Sequence, residues 1–353
     1  MLTQSCDAFI NPGPGLIKNK TNPKKRKRLS AEYGRIIKQP KLDCIESMRK
    51  YETASIFWNQ DRNRYSNILA PESTRVKLVG LKNDYINANH VSIGDPDTQI
   101  NFISTQAPLP NTVRDFWKMV WDQKSSVIMM LTNYREGGIL KANPYWSDKK
   151  STDYRYKAYK FIPSGTNDSN NDHEYGDDND DSSDITDIND IYSDNSYNSG
   201  DITDNDYIDN DYIDTVLTLQ LTKKMKLECG ILRIFSLKQG AESRRIFHIK
   251  YDSWGDHKEP SSLTDIKILL AYMEVFDLIG SMVDLGGPPI VHCSAGVGRT
   301  GTFIACAAVK TLALQKKLID VPSIVTEMRK CRDGMVQTDD QYAFIYQYRE
   351  IFS

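Results

Sequence analysis

Apolar and β-branched residues gather in seven short runs: QINFIS, SSVIMML, YRYKAYKF, TVLTLQL, ILRIFSL, RRIFHIKY and PPIVHC. Runs of this kind bounded by turn formers predict strands. Other segments repeat their apolar residues with a helical period. In RDFWKMVWDQK, the residues Phe116, Trp117, Val120 and Trp121 fall on one face. TDIKILLAYMEVFDLIGSMVD, GTFIACAAVKTLALQKKL, PSIVTEMRKC and DDQYAFIYQYREIF behave similarly, and two of them open on the cap formers Thr264 and Asp339. Strands and helices mix without strict alternation. That pattern predicts an α/β (α+β) fold, a twisted mixed sheet flanked by helices.

Two segments break the pattern. Residues 1–49 are polar and rich in Pro and Lys, with no sustained apolar period, and read as a disordered basic arm. Within it Lys24, Lys25, Arg26, Lys27 and Arg28 are consecutive, a run suited to a nuclear import receptor. Ser30 follows directly, where a basic-directed kinase could act and weaken the import run. Residues 165–214 hold sixteen Asp, one Glu and no Lys or Arg. Such a stretch buries too little apolar area to offset its ordering entropy, and reads as a disordered acidic insert. The remaining catalytic region, 50–353 without the insert, is long enough for one large core.

The net charge of −2 hides this asymmetry: outside the insert, 45 Lys and Arg face only 30 Asp and Glu. Two readings of the insert stay open. It is a solvated low-complexity segment, or it is an internal pseudosubstrate that offers Tyr175, Tyr192, Tyr197, Tyr207 and Tyr212 to a basic face. A near-zero net charge argues against a whole-chain grip on nucleic acid. No apolar run reaches the ~18–20 residues that span a bilayer. With no secretory start and six scattered cysteines, the expectation is an intracellular protein, cytoplasmic or nuclear, with free thiols. The five histidines do not cluster, so no metal site is expected.

The chemistry concentrates in PPIVHCSAGVGRTGTFIACAAV. A strand ends at His292, a Gly-rich loop follows, and a helix begins. Glycines let successive N–H groups turn toward one centre, and the helix N-terminus adds positive potential. Arg299 supplies a planar fork for two phosphate oxygens. Cys293 sits at the base of this field, which lowers a thiol toward a reactive thiolate. Thr300 can donate to its sulfur. The bland alternative is a cysteine buried for packing. A nucleotide-binding turn is the other alternative, but the Walker lysine and the GxGxxG spacing are missing.

HCSAGVGRTG resembles the signature of the tyrosine-specific, non-receptor protein tyrosine phosphatases. NRYSNIL with TRVKL (63–78), DYINANHV (84–91), STQAPLPNT (104–112), DFWKMVWDQ (115–123) and VQTDDQY (336–342) are similar to further blocks of that family, in order. The resemblance implies a cofactor-free phosphatase acting on tyrosine-phosphorylated proteins. It implies Cys293 as the nucleophile, with phosphate held by Arg299 and the amides of Ser294, Ala295, Gly296, Val297 and Gly298. It implies Asp256 as the general acid, His292 as a modulator of the thiolate, and Gln337 and Gln341 as placing the hydrolytic water. Tyr65 and Asn67 correspond to substrate-recognition positions, Glu136 to an acid orienting the arginine, and Lys141 to a lysine meeting the acid loop. Trp254 corresponds to that loop's hinge.

Two segments depart from the family. The acid loop reads Trp254, Gly255, Asp256, His257 in place of Trp-Pro-Asp-aromatic, and Asn67 stands where an aspartate is usual. Slower chemistry and altered peptide grip are expected. A phosphotyrosine-trapping pseudophosphatase therefore stays open beside the enzyme. A dual-specificity phosphatase is opposed by the Tyr65 block, since a deep slot suits only the longer side chain.

Overall fold

Ile290, Val291 and His292 are fully buried and form an inner strand of a nine-stranded sheet. The computed structural model describes residues 22–38, 44–95, 99–159, 212–255, 258–283 and 285–352. The strands are β1 (Arg75–Lys77), β2 (Tyr85–Ile93), β3 (Ile100–Thr105), β4 (Val127–Met130), β5 (Arg135–Glu136) and β6 (Ile139–Leu140). They continue with β7 (Thr152–Tyr159), β8 (Tyr212–Leu227), β9 (Gly230–Gln239), β10 (Glu242–Lys250) and β11 (Ile290–His292). The main sheet runs β1-β2-β3-β11-β4-β10-β9-β8-β7, and β5 and β6 form a separate hairpin. Strands β3, β11, β4 and β10 are parallel neighbours, and both flanks are antiparallel. This is the mixed sheet that the pattern predicted.

Helices cover both faces. They are α1 (Pro23–Ile36), α2 (Cys44–Lys50), α3 (Glu52–Ser55), α4 (Val113–Asp122), α5 (Leu263–Ser281), α6 (Gly298–Leu314), α7 (Val321–Cys331) and α8 (Asp339–Arg349). Alternation along the buried strands sorts the core into two layers. Val127, Met129 and Val291 pack with Phe303, Ile304, Val325 and Tyr342 of helices α6, α7 and α8. Ile128, Met130 and Ile290 pack on the other face with Phe116, Trp117 and Val120 of α4. The caps of α5 and α8 are Ser262 and Thr338, just ahead of the Thr264 and Asp339 expected from sequence.

The largest departure concerns residues 23–36, expected to be disordered. They form helix α1, with Asn22 accepting from the Lys24 amide and Pro23 at the first position. Leu29 and Tyr33 are buried in the main core and Ile36 packs against it. Five cations near a helix N-terminus oppose the macrodipole. Docking supplies the compensation: Lys25 pairs with Glu350 and Arg26 with Asp340. The acidic insert lies outside the described residues up to residue 211, and β8 begins at Tyr212, before its expected end.

Candidate active site

The parallel centre of the sheet delivers the loop after β11 to the N-terminus of α6. Register places His292 beside Thr105 of β3 and Met130 of β4. The loop carbonyls are drawn outward on all sides. Ser294 O accepts from the Ala107 amide at 2.9 Å, and Ala295 O from Arg332 Nη2 at 3.0 Å. Gly296 O accepts from Ser104 Oγ at 2.7 Å and Arg332 Nε at 3.1 Å. A trans peptide points its N–H opposite its C=O. The amides of Ala295, Gly296 and Val297 therefore turn inward, toward the mouth.

Glycine is required at one point of this turn. Gly296 has φ +72°, and a Cβ there would stand 2.1 Å from Thr105 O.

Cys293 is buried at the base of the loop. Burial pushes its thiol up, but Arg299, the Thr300 hydroxyl and the Thr300 and Val297 amides outweigh it and hold the thiol below its ordinary value. The Thr300 hydroxyl makes no hydrogen bond of ordinary geometry, so it stands ready for the sulfur beside it.

Arg299, 2% exposed, is fixed by Glu136. Its two Nη atoms donate to the two Glu136 oxygens at 2.6 and 2.9 Å, and Nη1 also donates to Trp254 O at 2.9 Å. Glu136 sits on the β5–β6 hairpin and also accepts from Thr132 Oγ1 at 3.0 Å and the Asn133 amide at 3.2 Å. Burial raises its carboxyl, but these donors hold it below the usual range.

Three expected residues meet at the rim. Ser294 Oγ donates to Lys141 O at 2.6 Å, so the Tyr65 hydroxyl donates to Ser294 Oγ at 2.8 Å. The Tyr65 hydroxyl thus stands beside the residue that follows Cys293, and Asn67 is exposed. Across the mouth, Gln341 Oε1 accepts from the Gln337 amide at 2.8 Å. The Gln337 side chain lies over Gly298, where a Cβ would approach Oε1 to 2.4 Å.

Asp256 and His257 lie outside the described residues, but their flanks are fixed. Trp254 is buried and donates from Nε1 to Lys258 O at 2.8 Å, and Gln341 Nε2 donates to the same carbonyl at 3.3 Å. The residues that flank the expected acid, Trp254 and Lys258, are therefore tied to Arg299 and Gln341 respectively.

Sequence reasoning missed the support behind the loop. Arg332 is fully buried and donates to the side-chain oxygens of Asn87 and Asn89, both at 2.6 Å, besides the loop carbonyls. Burial lowers it to about 10, so it stays charged at neutral pH behind Cys293. It also missed Tyr145 and His248. The Tyr145 hydroxyl lies 2.7 Å from Nε2 of both His248 and His292. His292 Nδ1 faces the Cys293 carbonyl at 3.1 Å, so that nitrogen carries the proton. Tyr145 then donates to His292 and accepts from His248. Burial holds both rings neutral, His292 at about 4 and His248 well below its ordinary value.

The segment that carries Tyr65 is anchored by its own Asn63 and Arg64 to residues of the blocks 84–91 and 104–112 and to Asn143. Arg64 donates to Ala107 O at 3.0 Å, Pro108 O at 2.9 Å and Asn143 Oδ1 at 2.8 Å. Asn63 Oδ1 accepts from Tyr85 at 2.5 Å and Asn87 at 2.8 Å.

The family model described as Protein-tyrosine phosphatase matches residues 59–177 and 198–349, most of the chain. The chain belongs to the protein-tyrosine phosphatase family. It is 33% identical over 291 residues to human tyrosine-protein phosphatase non-receptor type 13, covering 82% of this chain and 9% of that protein. It is 31% identical over 292 residues to rat tyrosine-protein phosphatase non-receptor type 20, covering 82% of this chain and 53% of that protein. Mouse receptor-type tyrosine-protein phosphatase eta is 34% identical over 306 residues, covering 85% of this chain and 19% of that protein. The chain thus spans about half or less of the length of these relatives. Within this phosphatase domain, no three His, Cys, Asp or Glu side chains of the described residues group to hold a metal. No helix among the described residues is long and apolar enough to cross a membrane.

Proposed function

We propose that this chain hydrolyses phosphotyrosine in proteins through a cysteinyl-phosphate intermediate. The observation that carries the reading is the buried Cys293 thiol, lowered by Arg299 and by the loop amides, at the base of an inward-turned amide ring. A phosphoryl group above Cys293 would meet N–H donors on one side and the Arg299 fork on the other. The sulfur attacks phosphorus, and the bond from phosphorus to the tyrosine oxygen breaks. Asp256 is proposed to protonate that oxygen, a contribution typically of ~10²–10⁴ in rate. Gln337 and Gln341 then position a water that attacks the phosphocysteine. Thr300 stabilises the departing thiolate. Each step uses this chain's side chains and one water.

Specificity rests on Tyr65. Its ring is proposed to wall the substrate slot above Cys293, a reading supported by its hydroxyl's hydrogen bond to Ser294 at 2.8 Å. Stacking in such a slot favours a phosphorylated aromatic over the shorter phosphoserine. Substrates are proposed to be intracellular phosphotyrosine proteins. The alternative, a phosphotyrosine trap without turnover, draws on Gly255 alone.

The test is hydrolysis of phosphotyrosine and phosphoserine peptides by the full chain, Cys293→Ser and Asp256→Ala. Turnover of the phosphotyrosine peptide only, abolished by Cys293→Ser and cut ~10²–10⁴-fold by Asp256→Ala, is expected. Saturable binding without turnover would replace the enzyme by the trap.

A further inference from the structure

Helix α1 does more than cover the core. Its Tyr33 hydroxyl donates to Val336 O at 2.9 Å. Val336 is a β-branched residue held at φ +61°, a conformation that persists only when its surroundings impose it. Its amide donates to Val297 O of the catalytic loop at 3.1 Å, and Gln337 follows it. The docked helix is therefore one of the restraints on the turn that carries Gln337.

The seam between α1 and α8 holds Ser30 beside Glu32, which accepts from the Tyr342 and Tyr346 hydroxyls. Ser30 Oγ donates to Asp339, while Arg26, one turn earlier on α1, pairs with Asp340. Ser30 is half-buried and lines a cleft that it shares with Arg26, Lys27, Asp339 and Asp340. The residues before it, Arg26, Lys27 and Arg28, are all cations.

We propose that Ser30 is a phosphorylation site for a basic-directed protein kinase, and that phosphate there releases α1 from α8 and frees the Val336–Gln337 turn. In the modifying step Ser30 Oγ attacks the γ-phosphorus of ATP. The new Oγ–P bond forms as the bond from that phosphorus to the β–γ bridging oxygen breaks. ADP leaves, and the hydroxyl proton passes to the kinase base. The modified side chain can no longer donate to Asp339, and it brings about −1.5 to −2 charges against two carboxylates. It also competes with Asp340 for Arg26, since residues one turn apart on a helix face each other. The kinase reaches the hydroxyl when α1 lifts, and the phosphate then shifts the population toward the lifted state by its repulsion from Asp339 and Asp340.

The experiment treats the full chain with such a kinase and Mg-ATP, maps the phosphate, and follows tryptic cleavage within 24–28 and amide exchange over 24–36. Phosphate on Ser30 of the wild type and not of Ser30→Ala is expected. Cleavage and exchange in the phosphorylated chain should quicken at least about tenfold, as for a locally released segment. Ser30→Glu should loosen the helix in the same direction. In Asp339→Asn/Asp340→Asn the phosphate should have a smaller effect, because the opposing charges are gone. No phosphate on Ser30, or a phosphorylated chain with unchanged protection, overturns the proposal. Neither readout uses hydrolysis of phosphotyrosine, so the outcome is independent of the proposed reaction.

Discussion

Tyr145 donates its hydroxyl to Nε2 of His292 at 2.7 Å, at the last strand residue before Cys293. The same oxygen accepts from His248 Nε2 at 2.7 Å, so one hydroxyl serves one nitrogen on each of two buried rings. Tyr145→Phe leaves both nitrogens without a partner in a dry interior. A loss of about 1–3 kcal/mol in unfolding free energy is expected, the usual effect of stranding a buried polar group. Chemical denaturation of the variant measures it. Unchanged stability would contradict the hydrogen-bond assignment.

Cys293 should titrate below the ordinary thiol value of about 8.5. The sign follows from its surroundings: Arg299 and the amides favour the anion, so thiolate appears at lower pH than in a free cysteine. The rate of alkylation by iodoacetate, followed against pH, should rise through that lowered midpoint. Thr300→Val removes one donor to the sulfur and should move the midpoint upward. A wild-type midpoint at or above the free-thiol value contradicts this reading.

Glu136→Gln keeps the shape of the Arg299 partner but removes its charge. Hydrogen bonds to charged groups contribute about 1.5–3 kcal/mol, so a looser Arg299 should weaken phosphate or vanadate inhibition about 10- to 100-fold. The fold should be retained. Inhibition constants unchanged from wild type would show that the guanidinium needs no carboxylate to hold it.

Gly255 does not occupy the left-handed region, and a Cβ there would meet only the flexible end of Lys258, at 3.1 Å from Cδ. A β-carbon is therefore tolerated at this position, and Gly255→Pro, by fixing φ, should reduce the freedom of the segment that carries Asp256. Such substitutions contribute about 0.4–1 kcal/mol, which corresponds to about a two- to fivefold rise in kcat if loop closure limits the rate. Steady-state kinetics of the variant test it, and a kcat at or below wild type would contradict it.

What could be read from sequence follows from how contacts are distributed. Strand, Gly-rich loop and helix stand in one contiguous segment at 288–309, so their chemistry was visible directly. The seven apolar runs became strands because buried strands carry their signal locally. Tyr145, His248 and Arg332 were not legible. Tyr145 reaches His292 across 147 positions, and Arg332 reaches Asn87 across 245. No local period marks a single polar residue whose partners arrive only when the sheet forms.

Helix α1 shows the opposite case. Leu29, Tyr33 and Ile36 follow a helical spacing, and Asn22-Pro23 is a start signal. Five consecutive cations hid both, because a basic run alone reads as a solvated tail. The acids that compensate it, Asp340 and Glu350, lie at the far end of the chain.

The proposed reaction passes phosphate through Cys293. Rapid mixing with a ³²P-labelled phosphotyrosine peptide, in EDTA and reductant, followed by acid quench and peptide mapping, tests it most directly. Gln337→Ala should slow the second step and raise the labelled fraction. Label is expected on the peptide that contains Cys293, and none in Cys293→Ser. Phosphate release at the wild-type rate from Cys293→Ser, with no labelled protein in either chain, would contradict it.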